Sequence, residues 1–206
     1  MKISAPKTQL TRFIFAICFF LMAGNAFAQE ADVADYMHIP GPVIFNNVTY
    51  YLEWSANPAD NYYKQQYLAK GDSLAHYKKL VVVDALLDTV SAKDLVYYKL
   101  RSLEQRKKTD AAVDYHLIVS PDSSEYIVDF VESEGLPVTE YVEWNAYIYK
   151  NFTDVNGHKG VMLFGTSMRA YGNKITDFIG ALRDNRENVV RQLMQYPMPV
   201  VKINTN

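Results

Sequence analysis

Between residues 112 and 169, apolar and polar side chains alternate through four successive segments: 112–120, 125–133, 140–152 and 158–169. A period of two belongs to a strand with one buried face. The connectors "PDSS", "EGLPV" and "DVNG" are short and made of turn formers. Parallel neighbours need a crossover of a dozen or more residues, so strands joined this closely form an antiparallel meander. The rest of the chain has to cover that sheet.

The flanking segments supply the cover. "VIFNNVTYYLEWSA", 43–56, reads as a strand or as a short hairpin turning at Asn46-Asn47, and "YYKQQYLA", 62–69, as a second strand. Asp72 or Ser73 is expected to cap a helix carrying Leu74, Tyr77 and Leu80. "LVVVDALL", 80–87, either extends that helix or forms a buried strand, and β-branched Val81, Val82 and Val83 favour the strand. "SAKD", 91–94, is a capping box opening a helix to about Lys107, with Leu95, Tyr98, Leu100 and Leu103 inward. Asn173 is expected to cap a last helix that ends before Pro197, with Ile175, Phe178, Ile179, Leu182, Val189 and Leu193 on one stripe. The fold class is α+β: one domain over 42–206, an antiparallel meander sheet with flanking helices, the long amphipathic one C-terminal.

Residues 1–28 have the anatomy of a cleaved signal peptide. Lys2, Lys7 and Arg12 precede the apolar "FIFAICFFLMAG", 13–24, and "AFA", 26–28, offers a small-x-small cleavage site before Gln29. The apolar run is short of the ~20 residues that span a bilayer. Residues 29–41 read as a flexible leader. Cleavage removes three basic residues and no acidic one, so 21 Lys and Arg fall to 18 against 23 Asp and Glu, a net of −5. That balance disfavours nucleic acid and anionic membrane surfaces as partners. Cleavage also removes the single cysteine, Cys18, and with it any disulfide. Export without cysteine suits the periplasm or the outside of a bacterium, with no membrane span after cleavage.

The stretch "EYVEWNAYIYKNF", 140–152, poses the functional question. Val142, Trp144, Ala146 and Ile148 share one face. A turn centred near Pro137 sets Phe130 opposite Trp144 and Val128 opposite Ala146, and a turn centred near Val155–Asn156 sets Leu163 opposite Ile148. The opposite face then gathers His116, Asp129, Glu143, Asn145, Tyr147, Tyr149, Met162 and Phe164. It is too apolar for a solvated face and too polar for an ordinary core. In one account, helix 91–107 covers Tyr147, Tyr149, Met162 and Phe164, and the polar residues lie at a wet margin. In the other, part of the face is an open groove in which His116, Asp129, Asn145, Tyr147 and Tyr149 contact a ligand.

Motifs for chemistry are sparse. His38, His76, His116 and His158 show no metal-ligand spacing, so neither metal nor cofactor is expected. "FGTSM", 164–168, is not a nucleophile elbow, and the register puts Ser167 on the Trp144 face, away from His116. Glu132, Glu134, Glu140 and Glu143 read as a solvated acidic rim rather than as a glycosidase pair. The many tyrosines suit strands and interfaces equally.

Gln66-Tyr67-Leu68, Gly71-Asp72-Ser73-Leu74, Tyr77 and Leu80, with "VEWNAYIYK" and "KGVMLFGTSMRAYG" later, resemble small exported bacterial proteins of unassigned function with a PsbP-like α/β sandwich. The resemblance implies an antiparallel sheet flanked by helices and a non-enzymatic role. The expectation is an exported binding or accessory module acting on an envelope protein or a small ligand. The alternative is a small periplasmic hydrolase using His116 and Asp129.

Overall fold

The computed structural model describes residues 33–135 and 138–204. The expected signal peptide and the first residues of the leader lie outside the described residues. Eight strands and two helices follow in the order β1 (Val43–Phe45), β2 (Val48–Ala59), β3 (Tyr62–Ala69), β4 (Lys79–Leu86), α1 (Ala92–Arg106), β5 (Asp114–Val119), β6 (Glu125–Glu134), β7 (Tyr141–Thr153), β8 (Lys159–Tyr171) and α2 (Ile175–Gln195). All eight strands join one curled antiparallel sheet in the order β1-β2-β3-β4-β8-β7-β6-β5. Two four-stranded meanders therefore meet at β4 and β8, and α1 carries the chain from the centre to the far edge. With two helices against eight strands, the fold is mostly sheet, so the α+β description holds only in part.

Local chemistry explains most boundaries. Asn46 and Asn47 both sit at positive φ, 48° and 57°, as a two-residue hairpin turn requires. Ser91 accepts the Asp94 amide while the Asp94 side chain accepts the Ser91 amide, so the capping box forms. No helix forms at 73–80. Asp72 instead accepts the amides of Lys78 and Lys79, Ser73 and His76 exchange backbone bonds, and β4 begins at Lys79. Asn173 does not cap α2 either, because a 3-10 turn over Gly172–Lys174 leads into the helix without a side-chain cap.

The sheet carries a buried core on each face. Under α2 lie Tyr67, Val81, Val83, Trp144, Ala146, Ile148 and Phe164, packed against Val189, Val190 and Leu193. Met37, Val201 and Ile203 join this core. The Met37 amide donates to Gln65 and the Tyr67 hydroxyl donates to the Ile39 carbonyl, so this part of the expected leader is docked. Under α1 lie Val128, Phe130, Tyr149 and Val161, packed against Ala92, Val96 and Leu103. Tyr98, expected to face inward, is 69% exposed, and Val96 takes the buried position.

The expected register is off by one on both sides of β7. Trp144 pairs with Val131, not Phe130, and Ala146 pairs with Asp129, not Val128. Ile148 pairs with Phe164, not Leu163. A one-residue slip exchanges faces. Phe130, Val128 and Leu163 thus go to the α1 side, while Met162 and Phe164 go to the α2 side, away from Tyr147 and Tyr149. The first hairpin keeps its expected partners, His116 with Asp129.

Candidate functional site

On the α1 side, β7 and β8 carry a run of polar residues through the apolar core. It begins at Glu143, 7% exposed. The Tyr77 hydroxyl and the Arg169 guanidinium both donate to Glu143 Oε2. Arg169 lies 4.2 Å from the ring centre of Tyr77 and 4.1 Å from that of Tyr141. A cation between two ring faces gains from both quadrupoles. Burial disfavours the Arg169 charge, but Glu143 more than restores it and the guanidinium stays protonated. Burial first, and then the adjacent Glu143, raise the Tyr77 phenol well above its ordinary range.

Two residues further along β7, Asn145 Oδ1 accepts from the Tyr147 hydroxyl at 2.7 Å and from Ser167 Oγ at 2.6 Å. Asn145 Nδ2 is buried and has no partner. The Tyr147 ring lies over Gly165, where a Cβ would meet its Cδ1 at 2.2 Å. Only glycine leaves room for the ring. Burial pushes the Tyr147 phenol well up, so it acts as a neutral donor. At the far end, Asp84 Oδ2 accepts from the Tyr62 hydroxyl at 2.7 Å and pairs with Lys64 at 3.5 Å. Asp84 Oδ1 is buried without a partner. Burial raises the Asp84 carboxyl, and Lys64 and Tyr62 offset only part of that.

Helix α1 packs chiefly over β6 and β7 and reaches Val161 of β8. Its Lys99 ammonium sits 3.9 Å from the Phe130 ring centre, and burial lowers its pKa against the pull of Glu132. Tyr77, in the loop before β4, closes over Leu68 and Leu80. By register, Tyr51 and Trp54 of β2 and Lys64 and Gln66 of β3 share this face with Val82 and Asp84 of β4. Among the described residues, neither helix makes more than slight contact with β2, β3 or β4 on this face. The α1-side face is thus half roofed and half open.

The five expected site residues do not form one group. Asn145 and Tyr147 bond to each other in the polar run, and Tyr149 is buried beneath α1. His116 and Asp129 lie on the α2 side. They are cross-strand partners, yet Asp129 is engaged elsewhere: its Oδ1 pairs with Arg186 Nε at 2.6 Å and accepts from the Trp144 indole at 3.2 Å. Among the described residues no hydrogen bond joins Asp129 to His116, which is exposed. The slip at β7 separates Asp129 from Asn145. It also moves Ser167 beside Asn145, still away from His116. The acidic rim is corrected as well, since Glu143 is buried against Arg169 and half-buried Glu132 lies 3.7 Å from Arg106. Sequence reasoning missed Tyr77, Asp84, Ser167 and Arg169. The available signal was Asp84, an acid inside an otherwise apolar run.

The arrangement binds more readily than it reacts. Ser167 donates to an amide oxygen, which cannot take its proton as a base would. Among the described residues, no three His, Cys, Asp or Glu side chains converge as metal ligands. A surface depression of about 1080 Å³ lies at the turn end of the sheet, beside Asp88, Ser91, Asn151 and His158. Its polar groups already hold the fold: Asp88 accepts the Thr89 amide and Asn151 accepts the Ala92 amide.

Residues 37–198 match a protein-family model. The chain belongs to that family, an uncharacterised one of bacterial proteins. No curated protein and no solved structure matches.

Proposed function

We propose that this chain is an exported binding or accessory module of the bacterial envelope, and that its ligand or partner docks on the open half of the α1-side face. The observation that carries the reading is Asp84 Oδ1, a buried atom without a partner on that half, with a second, Asn145 Nδ2, on β7 of the roofed half. A native interior seldom leaves polar atoms unpaired, because each costs roughly 1–3 kcal/mol. Half-buried Tyr62 and Lys64 stand beside the first, and Tyr147 beside the second. Tyr51, Trp54 and Gln66 extend the same surface, and aromatic and amide groups in combination suit a binding face.

A sheet between α1 and α2 also supports kinship with the PsbP-like sandwich, which we hold as part of the proposal. The hydrolase reading is the weaker one, since the Asp129 carboxylate serves Arg186 and Trp144 rather than orienting His116.

The test is photo-crosslinking in the exporting cell, with benzoylphenylalanine at Tyr51 or Gln66. An adduct that forms at these positions, but not at exposed Lys93 on α1, is the expected result. Equal labelling at all three, or none at Tyr51 and Gln66 together with no small molecule retained in native mass spectrometry, would remove the reading.

A further inference from the structure

We propose a second docking site on the opposite side of the sheet: the open edge of β5, with the cleft between β5 and α2, takes an extended acidic peptide segment of a partner protein. β5 pairs only with β6, so its other edge is free. The Ser120 amide donates to the Glu125 carbonyl at 3.0 Å, which marks a bonded pair. Bonded and non-bonded pairs alternate along an antiparallel ladder. Asp114, His116 and Ile118 therefore bond to β6, and Tyr115, Leu117 and Val119 turn their amides and carbonyls outward. Natural edges are usually blunted by lysine, proline or a bulge. "DYHLIV" has no lysine or proline, its register with β6 is unbroken, and Val119 is 43% exposed. Among the described residues, no element pairs with this edge.

Beside the edge is a cleft of about 650 Å³. Ile118, Val190 and Met194 give it an apolar floor, and Met194 is 45% exposed. Arg183, Arg191 and His116 stand at its rim. Arg186 is committed to Asp129, but Arg183 and Arg191 are exposed and form no ion pair among the described residues. Glu187 is the one acid of the cleft left without a basic partner there. The patch is thus cationic on a chain whose formal charge is −2.

Spacing favours a strand as the occupant. Arg183 and Arg191 are eight residues apart on a helix, or about 12 Å. Acidic residues at i and i+4 of a strand are about 13 Å apart and point to the same side. A strand added to β5 would supply main-chain bonds to the edge and set such acids toward α2. This mode, edge pairing with side-chain readout, is a recurrent form of peptide recognition. A small anion would use the arginines and leave both edge and apolar floor unused.

The experiment is fluorescence anisotropy with a labelled peptide of alternating glutamate and valine, against the intact chain. Saturable binding is expected, weakened roughly tenfold in the double variant Arg183→Glu, Arg191→Glu. Both side chains are exposed, so the variant should keep its melting temperature, which is checked alongside. N-methylating the valine amides should abolish binding, and a lysine-for-glutamate peptide should not bind. Three results would overturn the proposal. They are no binding at about 1 mM peptide, equal binding by the double variant, and equal binding by the N-methylated peptide with full competition by inorganic phosphate, which would mean an anion site only.

Discussion

Replacing either partner of the Glu143–Arg169 pair should cost far more than replacing both. The side chains keep 9% and 17% of their exposure, so water screens them poorly. At an effective dielectric constant of ~20, two unit charges about 3 Å apart attract by roughly 5 kcal/mol. Desolvation of the two ions consumes several kcal/mol of that, so the pair's net worth is small. Glu143→Leu leaves Arg169 between two tyrosine rings with no anion, and strands the Tyr77 hydroxyl. Arg169→Leu leaves a buried carboxylate with only that hydroxyl. Each single change should cost about 3–5 kcal/mol. The double change to leucine removes both charges and fills the space, so it should lie within about 2 kcal/mol of the parent. The assay is urea denaturation of all four proteins, reading the midpoint at unchanged slope. Additive effects in the double variant, or single losses below about 1 kcal/mol, would show that the pair is solvated and that the polar run is not an interior feature.

Further outcomes are expected. Trp144→Ala should lose about 3–5 kcal/mol in chemical denaturation, because the indole is fully buried and donates to Asp129; on the same face Arg186→Ala should be costly for stranding Asp129, while His116→Gln should change stability by less than about 0.5 kcal/mol. Asp84 has its folded pKa raised by burial, so its ionisation costs stability once the pH rises above the ordinary carboxyl range, and the cost vanishes below that range; Asp84→Asn should therefore raise the melting temperature at pH 7 and lose that advantage on acidification, and a variant that is less stable at pH 7 than at low pH relative to the parent would reverse the sign. If residues 1–28 direct export, intact-mass spectrometry of the exported protein should find Gln29 as its first residue, and a product retaining Met1 would count against it.

Much of the architecture was readable because local signals agreed with the global fold. Alternation, the turn compositions and the Ser91–Asp94 box each named an element that forms. Faces were harder to assign than elements. The loop between Glu134 and Tyr141 has six residues where a turn centred on Pro137 demands an odd number. The loop between Thr153 and Lys159 has five, fixed by Asp154 accepting the amides of Asn156 and His158. Each differs by half a residue in its centre, and together they displace β7 by one against both neighbours. A sheet with one wet face would have exposed the error, since slipped polar residues would land in the core. Around β7 this sheet is helix-covered on both sides, so either face tolerates Trp144 or Phe130 there. The same ambiguity hid the polar run. Glu143 looks like a rim acid until the register sets it beside Arg169, and Ser167 looks like a core residue until it pairs with Asn145. Tyr77 is further from reach, since it arrives from a loop 66 residues away to bond Glu143. Pairing across such separations depends on strand order, which no local pattern carries.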